Sequence, residues 1–96
     1  MLIETTTFRL SGSTADAVFT VAERRLAMEV LYQQPGFVRR TTASDGAGSW
    51  LALSMWRSAK DADAARDAIE HHPASAAYRE LLDPTSVNVQ RYVTLD

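Results

Sequence analysis

The side chains best suited to chemistry stand between residues 50 and 88: Trp50, Trp56, His71, His72, Tyr78, Arg79 and Asn88. Histidine is the side chain that most readily exchanges a proton near neutral pH. Adjacent histidines on a helix project about 100° apart, so at most one of the pair faces inward. His72, which continues an apolar stripe through Ala62, Ala65 and Ile69, is the candidate base. Arg79 is suited to steady an oxyanion or a carboxylate, and Tyr78 to bring its hydroxyl to the same pocket. An indole offers an apolar wall with one N–H donor. Trp56 is the candidate wall, Trp50 a filler nearer a hairpin, and Asn88 a ligand hydrogen-bonder on the last strand. These types together could take a proton from a phenol or enol and hold the anion in a dry pocket. Each residue also has a plain reading. Trp56 could pack a sheet or an interface, Arg79 could lie on the surface, and the histidines could answer a helix dipole. Glu29, four residues after Arg25, reads as one half of a rim ion pair. No third ligand stands at a convincing spacing from the histidines, so no metal is expected.

Length and composition narrow the setting. Ninety-six residues are enough for one domain, 1–96, with a core of its own. The absence of cysteine excludes disulfides and thiolate ligation. Ten basic against 12 acidic residues give a net charge of −2, with no basic stripe for a phosphate backbone. The start, MLIETTTFRL, lacks a signal-peptide pattern, and no apolar run approaches the roughly 20 residues of a membrane span. The expectation is a cytoplasmic protein that binds neither nucleic acid nor membrane.

The elements that must position these side chains follow from pattern. Residues 2–10 read as a threonine-rich strand. The Ser11–Thr14 cluster caps a helix over about 14–33, whose stripe runs Ala15, Phe19, Ala22, Leu26, Val30, widened by Val18. Pro35 and Gly36 stop it. Residues 37–43 form a second strand, and Asp45-Gly46-Ala47-Gly48 turns it into a third, 50–56. Ser58 caps a second helix with Asp61 three residues on, and Pro73 ends or kinks it. A shorter helix over 74–82 and a strand over 87–95 complete the order β-α-β-β-α-β. That order predicts an α+β, ferredoxin-like fold with a four-stranded antiparallel sheet and helices on one side.

The third strand has two unlike faces. Leu51, Leu53 and Met55 share one; Trp50, Ala52, Ser54 and Trp56 share the other, with small residues between two rings. The leucine face is expected to meet the helices. The tryptophan face, with Tyr92, is expected on the open side, where a second copy of the chain would cover it.

Three pieces carry a family resemblance: Pro35-Gly36-Phe37, then Trp56-Arg57-Ser58-Ala59-Lys60-Asp61-Ala62, then His72-Pro73 followed by Tyr78-Arg79. In this order the chain resembles the antibiotic biosynthesis monooxygenase family of the dimeric α+β barrel superfamily, over nearly its whole length. The resemblance implies a homodimer with sheets packed face to face and a pocket in each subunit. That superfamily includes cofactor-free oxygenases of anthrones or hydroquinones, haem-degrading oxygenases, isomerases and proteins without known activity. The haem-degrading constellation is absent: Tyr78, Ala65 and a threonine stand where its histidine, tryptophan and asparagine would fall. His71 and His72 leave a different haem geometry open. The anthrone oxygenases fit better, through Trp56 and Arg79, although Ala52 and Ala62 replace an asparagine and a tyrosine of that site. The implied function is a cofactor-independent monooxygenase of an aromatic, quinol-like small molecule. Two alternatives stand beside it: a non-catalytic ligand-binding or structural dimer of the same fold, and a polyketide isomerase or cyclase.

Overall fold

The threonine-rich start forms β1 (Leu2–Phe8), a central strand of the computed structural model, which describes residues 1–95. Helix α1 (Asp16–Glu29) follows, and a 3₁₀ turn over Leu31–Gln33 leads past Pro35 into β2 (Phe37–Ser44). Asp45 then holds the hairpin loop, its Oδ1 accepting from the backbone N–H groups of Ala47 (2.7 Å) and Ser49 (3.1 Å). Beyond it run β3 (Trp50–Trp56), α2 (Ala59–Glu70), α3 (Pro73–Glu80), a 3₁₀ turn over Pro84–Ser86 and β4 (Asn88–Val93). The strands pair antiparallel in the order β2-β3-β1-β4, and the fold is α+β and ferredoxin-like, as predicted.

Element ends differ from expectation where side chains chose other partners. The Thr14 hydroxyl bonds to that of Ser11, so α1 starts at Asp16 with Ala15 at its N-cap and no side-chain cap. Its apolar stripe is narrower than expected: Phe19, Leu26 and Ala27 are buried, while Val18 is exposed. The short capping box at α2 forms, the Ser58 hydroxyl accepting from Asp61 N–H at 3.1 Å. His71 and His72 do not end one long helix. His71 closes α2, His72 caps α3, and Pro73 occupies the first turn of α3, where its missing N–H costs nothing.

The assignment of sheet faces is reversed. Trp56, Ala52 and Ser54 are buried under the helices, and Trp50 packs on Phe19 of α1 with ring centroids 4.8 Å apart. Leu51, Leu53 and Met55 look out of the uncovered side. Tyr92 joins them, because it and Met55 both pair with Ile3 of β1. Alternation tells which residues share a face, not which face the helices choose. Here Phe8 and Leu2 of β1 lie beside Trp50 and Trp56 in register, and small Ala52 and Ser54 admit the rings of Phe19 and Tyr78 from above.

The interior divides into two apolar clusters. One gathers Phe8, Phe19, Leu26, Leu31 and Tyr78; the other gathers Leu2, Trp56, Ala62 and Ala65. Phe37 and Ile69 touch both. The Phe37 ring stands edge-on to Trp56 at 4.9 Å. Gly36 fixes where Phe37 begins: its φ of +82° favours glycine, and a Cβ there would run into Asp61.

Candidate active site

A cavity of about 220 Å³ lies at the seam between the two clusters. Leu26, Leu31 and Ile69 wall it from the helix side, and Thr6 and Ser54 form part of its floor on the sheet. Of the two small residues of β3, Ser54 lines this cavity, while Ala52 is buried in the core cluster of Phe19 and Tyr78. Trp56, Tyr78 and Arg79 all line the cavity. A groove of about 360 Å³ shares Glu4, Thr6, Trp56, Arg79 and Val89 with the cavity and continues outward to Arg91.

A bulge in β2 supplies a further member. Strict alternation would put Phe37 and Arg40 on opposite faces. The register slips between Phe37 and Arg39, so Phe37 pairs with Trp56 and Arg40 with Ser54, both on the helix side. Arg40 Nε and Nη2 donate to the Glu23 carboxylate at 3.2 and 2.7 Å, a fork-to-fork pair. Its Nη1 donates to Ser54 Oγ at 2.8 Å, and Nη2 also reaches Tyr78 Oη at 3.3 Å. The side chains of the pair are only 11% and 12% exposed. Burial alone would lower the Arg40 pKa, but the hydrogen bonds and charge of Glu23 outweigh it, and the guanidinium stays charged. Tyr78 is pushed well above the ordinary phenol range, first by burial and then by the Glu23 carboxylate against the pull of Arg40. It is therefore a protonated hydroxyl.

Trp56 and Ser75 line the cavity through other atoms; Trp56 Nε1 and Ser75 Oγ themselves are sealed from solvent and have no hydrogen-bond partner. Arg79 forms no ion pair among the described residues; its Nη2 makes one long contact, 3.4 Å, with the Glu70 carbonyl at the groove. Glu4 is the one carboxylate among the described lining residues, and Arg91 holds it at 2.8 Å.

The remaining candidates stand elsewhere. His72 Nδ1 accepts from Ala74 N–H at 3.0 Å as the α3 cap, and the residue does not line the cavity. Trp50 borders a more open pocket of about 580 Å³ at the hairpin end, beside Arg9 and Ser49. Asn88 is exposed on the uncovered face, paired with Thr7. Glu29 pairs with Arg25 at 3.0 Å, as its spacing predicts. Among the described residues, no group of three or more His, Asp or Glu side chains is placed to hold a metal ion. Glu23, Arg40 and Ser75 were not singled out from sequence. Glu23 had a signal: it stands four residues after Phe19 and three before Leu26, a carboxylate inside an apolar stripe.

No family model and no curated protein matches the chain. Solved structures do. An alanine variant of SnoaB, a cofactor-independent oxygenase from Streptomyces nogalater, superposes with a TM-score of 0.80 at 24% identity, covering 99% of this chain and 93% of that one. A candidate antibiotic biosynthesis monooxygenase from Nitrosomonas europaea gives 0.73 at 16% identity, covering 100% of both chains. Another from Chloroflexus aurantiacus gives 0.71 at 15%, covering 100% of this chain and 95% of that one. Over its whole length the chain resembles antibiotic biosynthesis monooxygenases, and at these identities the likeness is one of fold.

Proposed function

We propose that this protein is a cofactor-independent monooxygenase of an aromatic, quinol-like small molecule, acting as a homodimer, with the helix–sheet cavity as its active site. The observation that carries the reading is the meeting of Trp56, Tyr78 and Arg79 around one cavity. The fold likeness to a protein described as a cofactor-independent oxygenase supports it. In such a reaction on an anthrone, the activated ring CH₂ becomes a carbonyl. One atom of O₂ enters the product and the other leaves as water, so the substrate supplies every electron and no external reductant is needed. Trp56 would wall the ring, and Tyr78 and Arg79 would steady the oxyanion formed when the substrate loses its proton.

A non-catalytic ligand-binding dimer is the second reading, favoured by one observation: no free base lines the cavity among the described residues. Oxygen uptake with an anthrone separates the two. The oxygenase should consume oxygen with formation of the carbonyl product, and Trp56→Phe and Tyr78→Phe should each lower kcat/KM at least about tenfold, or ~1.4 kcal/mol. Absence of uptake above the uncatalysed rate, or uptake indifferent to both substitutions, would remove the oxygenase reading.

A further inference from the structure

We infer that Glu4 is the general base of the site, a role that rests on the oxygenase reading above: it takes the ring proton that must leave before oxygen reacts.

Glu4 stands on the helix side of β1, in the floor of the cavity. Its strand is paired on both edges, and Glu4 itself lies between Ser54 of β3 and Arg91 of β4. A side chain on such a strand is placed more precisely than one on a loop. It lines both the cavity and the groove that leads outward, and its side chain is 25% exposed, enough for a ligand to reach it.

Two carboxylates of this layer are paired with arginine, and the pairs use the acid differently. Glu23 gives both oxygens to the Arg40 fork. Glu4 gives Arg91 only Oε2, which accepts from Nε at 2.8 Å. Arg91 also donates through Nη2 to Asp63 of α2 at 2.8 Å, so its charge is divided between two acids. Glu4 Oε1 has no hydrogen-bond partner among the described residues, and it is not one of the unpartnered atoms sealed from solvent. It is therefore an accessible carboxylate oxygen, open to the space that Glu4 lines. No other carboxylate lines the cavity among the described residues, and His72, the base expected from sequence, caps α3 outside it.

On an anthrone, Oε1 takes a proton from the ring CH₂: the C–H bond breaks, an O–H bond forms on Glu4, and the electron pair stays on the ring. The carbanion gives its electrons to O₂, and a C–O bond forms. Glu4 returns its proton to the peroxide, then takes the remaining proton of the same carbon as the O–O bond breaks. The carbonyl forms, hydroxide leaves, and the proton on Glu4 completes water. One carboxylate thus serves twice and ends ionised, as it began. Carboxylates deprotonate carbon acids where a neighbouring group meets the anion, and Arg79 lines the same cavity.

Deuterium exchange separates the proton step from oxygen. An anthrone held without O₂ in D₂O should exchange its ring CH₂ faster with the wild-type protein than in buffer, as read by proton NMR. Glu4→Gln, which keeps the shape and loses the base, should lower both exchange and aerobic oxygen uptake at least about 100-fold, the lower end of what a positioned base supplies. Glu4→Ala leaves room for a small acid, and added formate should restore part of its rate, a gain that a purely structural ion pair would not show. Thermal melting checks that both variants fold. Exchange that survives in folded Glu4→Gln, or a folded Glu4→Ala indifferent to formate, would overturn the role of Glu4. Exchange that depends on Glu4 without oxygen uptake would sink the oxygenase and keep the base. Oxygen uptake that survives Glu4→Gln would do the reverse. Neither exchange nor uptake by the wild-type protein would remove both.

Discussion

At the scale of residues, the site depends on one buried ion pair. The contrast between Glu23 and Glu29 shows how much environment decides. Both are carboxylates of α1 facing an arginine, but the Arg25–Glu29 side chains are 44% and 53% exposed and those of Arg40–Glu23 only 11% and 12%. An exposed i,i+4 pair contributes about 0.3–0.5 kcal/mol, whereas removing one member of a buried pair costs about 3–5 kcal/mol through the charge left behind. Tyr78 shares that environment, and its raised pKa has a consequence at high pH. The unfolded chain ionises this phenol near pH 10, while the folded one keeps it protonated. The folded-state pKa lies above the unfolded one, so the contribution to stability is full below pH ~10 and is lost as pH rises beyond it. In a variant with Tyr78 as the single tyrosine (Tyr32→Phe with Tyr92→Phe), tyrosinate absorbance should appear only together with unfolding. A smooth titration near pH 10 with the fold intact would contradict the burial.

At the scale of elements, the junction between α2 and α3 gives His72 a structural task. Its Nδ1 meets the Ala74 N–H at 3.0 Å, an N-cap in the manner of a short polar side chain. His72→Ala should therefore lower unfolding stability by about 1 kcal/mol, and His72→Asn, which keeps an acceptor, should recover most of it. Urea denaturation decides: equal loss in both variants would mean that the cap bond contributes nothing. The type of this element was legible in the sequence, since Pro73 and the alanine-rich run after it announce a helix turn. Its start was not, because a proline that stops one helix and a proline that opens the next look alike until the chain direction is known.

At the scale of the molecule, the helices protect one side of the sheet and leave the other bare. Ile3, Leu51, Leu53, Met55 and Tyr92 share the bare side, with Leu51 38% and Tyr92 51% exposed. The proposed homodimer would cover these residues. The tryptophans, the original reason for expecting a partner, lie under the helices instead. Sedimentation should find a dimer at micromolar concentration, and Leu53→Asp, which places a charge at the centre of that face, should yield folded monomers. A wild-type protein that sediments as a monomer would end the dimer proposal.

Pattern and local chemistry sufficed for the element order, the hairpin at Asp45–Gly48 and the cap at Ser58. All of these depend on neighbours within a few residues, where side-chain periodicity and turn preferences act directly. The side of the sheet that the helices cover was beyond such signals, because both faces of β3 are apolar enough to be buried. So was Arg40, whose inward turn depends on a bulged residue in β2 and on a carboxylate 17 positions away in sequence. A strand's register and a buried charge's partner are long-range choices, settled when the helices close over the sheet, and at this site those choices decide the chemistry.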